Sequence, residues 1–128
     1  MRYGNFEDLK KQLISHRVVK WTPDKLVLEN GTVLTIEESE SDCCAWAGGE
    51  FKDVKLDAAI TNVEVSEVVE DSFDEYDDEV CNSVKVTLFH NLNPVAVANC
   101  SADNGNGGYY YSVCSLVIKG IHYPVVEA

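Results

Sequence analysis

Five cysteines are the side chains of this sequence best suited to bind a metal ion. Structural zinc sites commonly use two close pairs of ligands, but Cys43 and Cys44 are adjacent and no Cys-x-x-Cys pair is present. Adjacent residues of an extended chain point to opposite sides, which does not suit a shared metal ion. We therefore predict no cofactor and expect Cys81, Cys100 and Cys114 to be small, reduced, buried residues.

The three histidines, His16, His90 and His122, could act as general bases near neutral pH. A catalytic triad also needs a nucleophile and an orienting acid that converge on the base, which sequence spacing cannot establish. The sequence contains no nucleophile elbow, phosphate-binding loop or zincin helix. We therefore expect these histidines at the surface or at strand edges, and we predict that the protein is not an enzyme.

The segment Asp103 to Gly108 reads DNGNGG, which superficially resembles a calcium-binding loop. An EF-hand loop starting at Asp103 would need an oxygen ligand at Gly105 and a closing glutamate where Cys114 stands, so the residue types do not fit. A different cation site that uses Asp103 and the asparagines remains an alternative. The composition mainly predicts the tip of a hairpin, because Gly and Asn reach positive φ at little cost.

The hairpin itself is predicted for the stretch Val95 to Ile118, in which two β-prone runs flank this loop. A turn near Gly107 would place Cys100 opposite Cys114, where oxidation could join the two sulfurs without functional consequence. Directly after the loop come three tyrosines that alternate across the strand, so at least one ring should face solvent. Exposed tyrosines beside an adaptable Asn/Gly loop are typical of protein-recognition surfaces, whereas ordinary sheet packing is the alternative.

Negative charge dominates the composition, with 22 Asp and Glu against 10 Lys and Arg and a formal net charge of -12. Such a chain repels nucleic acids and anionic membranes, and the scattered basic residues predict no basic patch. Acidic residues concentrate between Glu64 and Glu79, a segment without Lys or Arg. It could be a solvated loop, a segment that orders on a basic partner, or a mimic of nucleic-acid phosphate, with Phe73 and Tyr76 as apolar anchors.

The pattern of apolar residues predicts an α+β, mainly β fold: antiparallel meander sheets of about seven or eight strands and one short N-terminal helix. The helix is expected at Asn5 to Ser15 with Asn5 as its N-cap. Turns are expected at Asn30-Gly31, as type I′, and at Lys119-Gly120, and residues 37–42 should form a loop. Strands are expected at Val18 to Trp21, Lys25 to Leu28, Thr32 to Ile36, Ile60 to Val69, Val80 to His90 and Ile121 to Val126, the last at a sheet edge because of Pro124.

The length of 128 residues predicts a single domain over residues 1–128, with an acidic loop at about residues 70–79. No apolar run reaches the roughly 18 to 20 residues that a membrane span needs. The charged N-terminus lacks the apolar region of a signal peptide. We therefore expect a cytoplasmic protein that does not bind membranes.

The sequence resembles a known protein family in two stretches. The first combines LENGT at residues 28–32 with DCCAW at residues 42–46, and the second is residues 99–112 with their NGNGGYYYS core. It is a family of small uncharacterised proteins found largely in bacteriophages of actinobacteria, and the similarity spans about Val27 to Ile118. The resemblance implies a domain of unknown function and supplies no residue roles. Small accessory phage proteins commonly bind a host protein, so the resemblance implies such a partner in the host cytoplasm.

These observations together predict a non-enzymatic acidic binding protein that engages a host protein through the acidic segment and the hairpin, with a basic protein as the candidate partner. One alternative is a small ligand- or metal-binding domain that uses Asp42, Cys43, Cys44 and the Asp103 loop. Another is a structural accessory protein whose strand edges pair into a homodimer. The predicted partner-binding residues are Glu70, Asp71, Phe73, Asp74, Glu75, Tyr76, Asp77, Asp78, Asp103, Asn104, Asn106, Tyr109, Tyr110 and Tyr111.

Overall fold

The computed structural model describes residues 2–42, 44–72, 80–105 and 110–128, with the backbone alone at residues 71 and 72. In these ranges the chain forms eleven strands and one helix. In chain order they are β1 (Arg2–Tyr3), α1 (Phe6–Leu13), β2 (Val18–Thr22), β3 (Lys25–Leu28), β4 (Val33–Ser41), β5 (Ala47–Lys52), β6 (Asn62–Val65), β7 (Val69–Ser72), β8 (Val80–His90), β9 (Asn93–Asp103), β10 (Ser112–Ile118) and β11 (Ile121–Glu127).

The helix α1 confirms the sequence prediction, including its cap. The Asn5 side chain accepts a 2.9 Å hydrogen bond from the backbone N–H of Asp8, which satisfies a donor that the first helical turn leaves without an intrahelical partner. Leu9 and Leu13 are one helical turn apart and fully buried. The helix ends before Ser15, whose φ of 75° is incompatible with its continuation.

The strands form two sheets. The first sheet has the order β1-β11-β10-β4-β3-β2, and the second has the order β5-β9-β8-β6, with β7 also pairing with β8. All pairings are antiparallel except the one between β1 and β11. The mainly β fold class with one short helix is therefore confirmed, whereas the strand number is higher than predicted.

A shared hydrophobic core lies between the two sheets and under α1. On β10, Cys114, Leu116 and Ile118 belong to this core, and on β9, Ala98 and Cys100 belong to it. Neighbouring residues on the same strands point away from the core, because successive side chains of a strand alternate between its faces. Each sheet therefore has an outer face, and these two outer faces carry the sites considered below.

The predicted hairpin between β9 and β10 is wrong. β9 pairs with β5 and β8, while β10 pairs with β4 and β11, so the Asn/Gly loop passes from one sheet to the other. The meander order is broken here and again between β4 and β5. Glycine and asparagine permit a tight turn but equally permit a crossover, so the loop composition did not decide between the two.

Cys100 and Cys114 nevertheless meet, because they face each other across the core rather than across a hairpin. Both are fully buried, as predicted, and they are not joined in a disulfide, whereas Cys81, which was also predicted to be buried, is only partly buried. A hydrogen bond to Cys114 and its own burial raise the pKa of the Cys100 thiol above its ordinary value. Burial and a raised pKa make Cys100 a packing residue rather than a nucleophile.

Three local predictions also need correction. The expected loop at residues 37–42 is mostly strand, because β4 continues to Ser41 and pairs with β10. The turn at Asn30-Gly31 exists but is not type I′, since only Gly31 has a positive φ, of 86°. The single strand expected from Ile60 to Val69 is divided into β6 and β7, which pair with successive parts of β8.

One further turn behaves as predicted. Lys119 and Gly120 both have positive φ, of 52° and 77°, and connect β10 to β11 as a tight hairpin. The sheet-edge position predicted for the last strand is wrong, because β1 pairs with the first two residues of β11; Pro124 lies beyond that pairing.

Candidate partner-binding surface

Two carboxylates flank the middle strand of the first sheet on its outer face. Glu40 on β4 and Glu127 on β11 are both cross-strand neighbours of Val113 on β10. Val113 points away from the core, since the next residue, Cys114, points into it. Adjacent strands lie about 4.8 Å apart, so the two glutamates are separated by about 10 Å at their Cα atoms.

Two exposed tyrosines lie against these carboxylates. Tyr111 precedes β10 and is 40% exposed, and Tyr3 on β1 is 48% exposed. The Tyr111 hydroxyl donates a long hydrogen bond of 3.4 Å to Oε2 of Glu40, and Glu40 also lies close enough to the Tyr3 phenol to raise its pKa. We call Tyr3, Glu40, Tyr111 and Glu127 the tyrosine–carboxylate surface.

The pKa values of the two phenols reflect this environment. Partial desolvation raises the pKa of Tyr111, and the negative charges of Glu127 and Glu40 raise it further. The pKa of Tyr3 is raised by desolvation and then by the charge and hydrogen bond of Glu40. Both phenols therefore stay neutral at physiological pH, and the potential around them is negative.

A buried polar network supports the ring of Tyr3. The Ser39 hydroxyl lies 2.5 Å from the Ser115 hydroxyl and 2.8 Å from Nδ1 of His122. Tyr3 packs edge-to-face on the imidazole of His122, with 6.2 Å between ring centroids. Because Ser39 and Ser115 are buried and mutually bonded, the network fixes the position of His122 and, through it, of Tyr3.

The carboxylates of this surface are not neutralised by basic side chains in the described part of the chain. The ion pairs found there, His16 with Glu29 and Arg17 with Asp57, involve neither Glu40 nor Glu127. An arginine or lysine from another molecule could pair with the glutamates and lie over an exposed tyrosine ring. The arrangement is thus chemically suited to bind a cationic side chain.

The predicted acidic segment begins close to this surface. The first acid of the loop predicted at about residues 70–79, Glu70, is exposed on β7 and is the cross-strand neighbour of Asn82 on β8. The Asn82 side chain donates a 2.8 Å hydrogen bond to the backbone carbonyl of Glu127. Val68, which precedes β7, lines a groove of about 300 Å³ together with Glu127. The two acidic features therefore adjoin at the same edge of the molecule.

The chain is held at the crossover between the two sheets, here called the junction, by hydrogen bonds of Asp103 and Asn104. Both residues were predicted to contact a partner. The Asp103 carboxylate accepts hydrogen bonds from the backbone N–H groups of Trp46, at 2.7 Å, and Gly105, at 3.2 Å. Oδ1 of Asn104 accepts one from the backbone N–H of Val80, at 2.7 Å. These contacts give both side chains a structural role, and their part in binding stays a prediction.

Ser112 completes this junction from the start of β10. Its buried hydroxyl lies within hydrogen-bond distance of two backbone carbonyls, that of Asp103 at 2.6 Å and that of Trp46 at 3.0 Å. The backbone carbonyl of Tyr111 accepts a bond from the N–H of Asp42. These hydrogen bonds hold the backbone of Tyr111 in place beside the outer face of the first sheet.

The remaining predicted residues divide by where they lie. Tyr110 is half-buried at the junction, and Asp71 pairs through its backbone with Cys81. The rest lie outside the described residues: Phe73, Asp74, Glu75, Tyr76, Asp77, Asp78, Asn106 and Tyr109.

Sequence reasoning missed three members of the surface: Tyr3, Glu40 and Glu127. Glu40 was placed in a loop because residues 37–41, EESES, are all polar and lack the alternation that indicates a half-buried strand. Tyr3 and Glu127 carried no signal either, because only the pairing of β1 and β11 with the rest of the sheet brings them to Glu40.

The alternative of a metal site gains no support from the described residues. Among them, no group of three or more His, Cys, Asp or Glu side chains lies close enough to hold a metal ion, and Cys43 lies outside them. Each histidine has a different hydrogen-bond partner: His16 bonds Glu29, His90 bonds the carbonyl of Ala59, and His122 bonds Ser39.

Within the described ranges no helix is long and apolar enough to span a membrane.

Comparison with known proteins identifies a matching family whose function is unknown. A family model described as a domain of unknown function, DUF7448, matches residues 11–117. No curated protein and no solved structure matches the chain. Because the match extends over most of the sequence, the chain belongs to the DUF7448 family.

Proposed function

We propose that this protein is a non-enzymatic binding module that recognises a basic segment of a partner protein through the tyrosine–carboxylate surface. The observation that carries the proposal is the convergence of two exposed tyrosines on Glu40, with Glu127 across the same sheet. Tyrosine rings supply rigid contact area at low entropic cost, and the carboxylates supply charge for arginine or lysine.

Charge complementarity supports a basic partner. A net charge of -12 repels nucleic acids and anionic membranes but accelerates encounter with a basic protein. The acidic segment that starts at Glu70 would extend the contact, because β7 adjoins Glu127 through Asn82. In this proposal, residues 73–79 add long-range attraction, while the tyrosine–carboxylate surface forms the fixed part of the interface.

The resemblance to phage proteins extends the proposal to a biological setting. We propose that the protein is phage-encoded and acts in the cytoplasm of the host cell, where it binds a host protein to redirect or block it. This setting rests on the NGNGGYYYS-like and CCAW motifs rather than on the fold.

The experiment is an affinity capture from host lysate with two charge-matched double variants. Glu40→Gln with Glu127→Gln removes two negative charges from the surface, and Asp24→Asn with Asp53→Asn removes two from exposed positions outside both the surface and the acidic segment. Both variants have the same net charge, so any difference between them reports position rather than overall attraction.

We expect wild type and the Asp24/Asp53 variant to retain a common basic protein at about 50 mM salt and to release it at about 500 mM, where screening is strong. The Glu40/Glu127 variant should lose most of the captured protein, identified by mass spectrometry. Equal capture by the two variants would show that the surface is not the interface. Capture that persists at high salt would contradict the electrostatic basis of the proposal.

A further inference from the structure

We propose that the outer face of the second sheet holds a separate binding site for a neutral oligosaccharide. The site is a groove of about 770 Å³ that crosses β7, β8 and β9. Its floor shares Asn99 and Ser101 with a second depression of about 330 Å³ beside Trp46. The combined groove is of a size typical of small-ligand sites and is distinct from the tyrosine–carboxylate surface.

The floor of the groove is formed by outward-facing polar side chains of β8 and β9, with Val84 and Cys100 also lining it. Ser83 on β8 and Ser101 on β9 are cross-strand neighbours whose hydroxyls lie 3.0 Å apart. Lys85 and Asn99 form the next outward-facing pair of the same two strands. Three strand spacings separate β7 from β5, so the floor is about 14 Å wide, enough for a ligand of several linked rings.

Trp46 forms a wall at one end of this floor. Its side chain is 54% exposed, and the indole ring lies against Gly48. A Cβ on Gly48 would be 2.8 Å from the ring, so only glycine leaves room for the indole to pack against the sheet at this position. The other wall is formed by Glu67 and Val69, which precede and begin β7.

The polar groups of the groove are available to a ligand. Within the described residues, the amide of Asn99 and the side chains of Lys85 and Glu50 make no hydrogen bond or ion pair that holds them elsewhere. The Ser83 and Ser101 hydroxyls use one donor between them, which leaves one donor and further acceptor sites. The set therefore offers both donors and acceptors in one plane.

This chemistry favours a neutral polyhydroxylated ligand. Sugar hydroxyls both donate and accept, which matches a serine pair, an amide, an ammonium and carboxylates, and the C–H face of a sugar ring packs on an indole. The single Lys85 among Glu50 and Glu67 gives no cluster of positive charge for an anion. An extended peptide could add to this sheet only at the outer strands β5, β6 and β7, whereas the floor of the groove lies over β8 and β9, which are already paired on both sides.

The test is isothermal titration of the purified full chain with cellopentaose, chitopentaose and maltopentaose, with sulfated dextran as an anionic comparison. We expect saturable binding of at least one neutral oligosaccharide below about 10 mM. Trp46→Ala should weaken it about tenfold or more and Asn99→Ala about fivefold, while Trp46→Phe, which keeps an aromatic ring, retains part of the affinity. Trp21→Phe, in the first sheet, is the matched control and should change nothing.

Circular dichroism of each variant shows whether it is folded, and Asn99→Ala carries the test if Trp46→Ala is not. The proposal is overturned if none of the three oligosaccharides binds at about 10 mM, which corresponds to weaker than millimolar affinity. Binding that Trp46→Ala and Asn99→Ala leave unchanged would also overturn it, as would binding of sulfated dextran in place of the neutral sugars.

Discussion

Replacement of Asp103 by alanine is expected to destabilise the protein by about 2 kcal/mol, although sequence reasoning places this residue in a partner-binding loop. Its carboxylate accepts a 2.7 Å hydrogen bond from the backbone N–H of Trp46 and a longer one, 3.2 Å, from that of Gly105. Loss of the carboxylate would therefore release the start of β5 and the crossover loop together.

The magnitude follows from these two bonds. A hydrogen bond to a charged group contributes about 1.5–3 kcal/mol, and the short bond to Trp46 belongs in this range. The bond to Gly105 is long and adds little. Water can reach the exposed Trp46 and replace part of what is lost, which keeps the expected total near 2 kcal/mol.

Urea unfolding followed by tryptophan fluorescence measures this change, and a melting temperature lower by roughly 8 °C should accompany it. Asp103→Asn keeps one acceptor oxygen, so its free energy of unfolding should fall by about half as much as that of Asp103→Ala. Asp24→Ala, at an exposed turn, is the control and should stay within about 0.5 kcal/mol of wild type. An Asp103→Ala protein as stable as the control would refute the structural role of this carboxylate.

Three further predictions concern other parts of the molecule. Cys114→Ala should cost about 1–2 kcal/mol because the side chain is fully buried, whereas Cys44→Ala, at an exposed position, should leave the unfolding midpoint unchanged. Gly49→Ala should cost about 3 kcal/mol, because a Cβ there would lie 1.9 Å from a backbone carbonyl oxygen of β9; a normal melting curve would contradict this close approach. Glu40→Gln should lower the pKa of Tyr111 toward its ordinary value, seen as earlier phenolate absorbance in an alkaline titration; an unchanged titration would exclude the interaction.

The raised pKa values of the two phenols also determine how the stability of the fold changes with pH. A tyrosine whose pKa is higher in the folded state contributes stability that is complete below the unfolded pKa, about 10, and is lost as pH rises through the folded pKa. Alkaline unfolding should therefore begin at a higher pH once Glu40 is neutral. This shift is measured by circular dichroism across the alkaline range.

The sequence was sufficient for features governed by local chemistry. The N-cap of Asn5 and the Lys119-Gly120 turn depend on residues close in sequence, so they could be predicted. The buried state of Cys100 and Cys114 followed from their residue type.

Long-range pairing could not be predicted in the same way. Nothing local in residues 99–112 shows whether the chain turns back on β9 or crosses to another sheet, because both paths use the same loop residues. The tyrosine–carboxylate surface depends on this crossover and on the pairing of β1 with β11, which joins residues at opposite ends of the chain. Tyr111 could therefore be named from the sequence, whereas its partners Tyr3 and Glu127 could not.

The binding proposal is tested most directly by two-dimensional NMR of the labelled protein titrated with a short arginine-rich peptide at low salt. The account predicts amide shifts that cluster at Tyr3, Glu40, Tyr111 and Glu127 and that fade as salt is raised to about 500 mM. Shifts concentrated on β5 and β8, or no saturable shifts, would contradict the assignment of the tyrosine–carboxylate surface as the site for a basic partner.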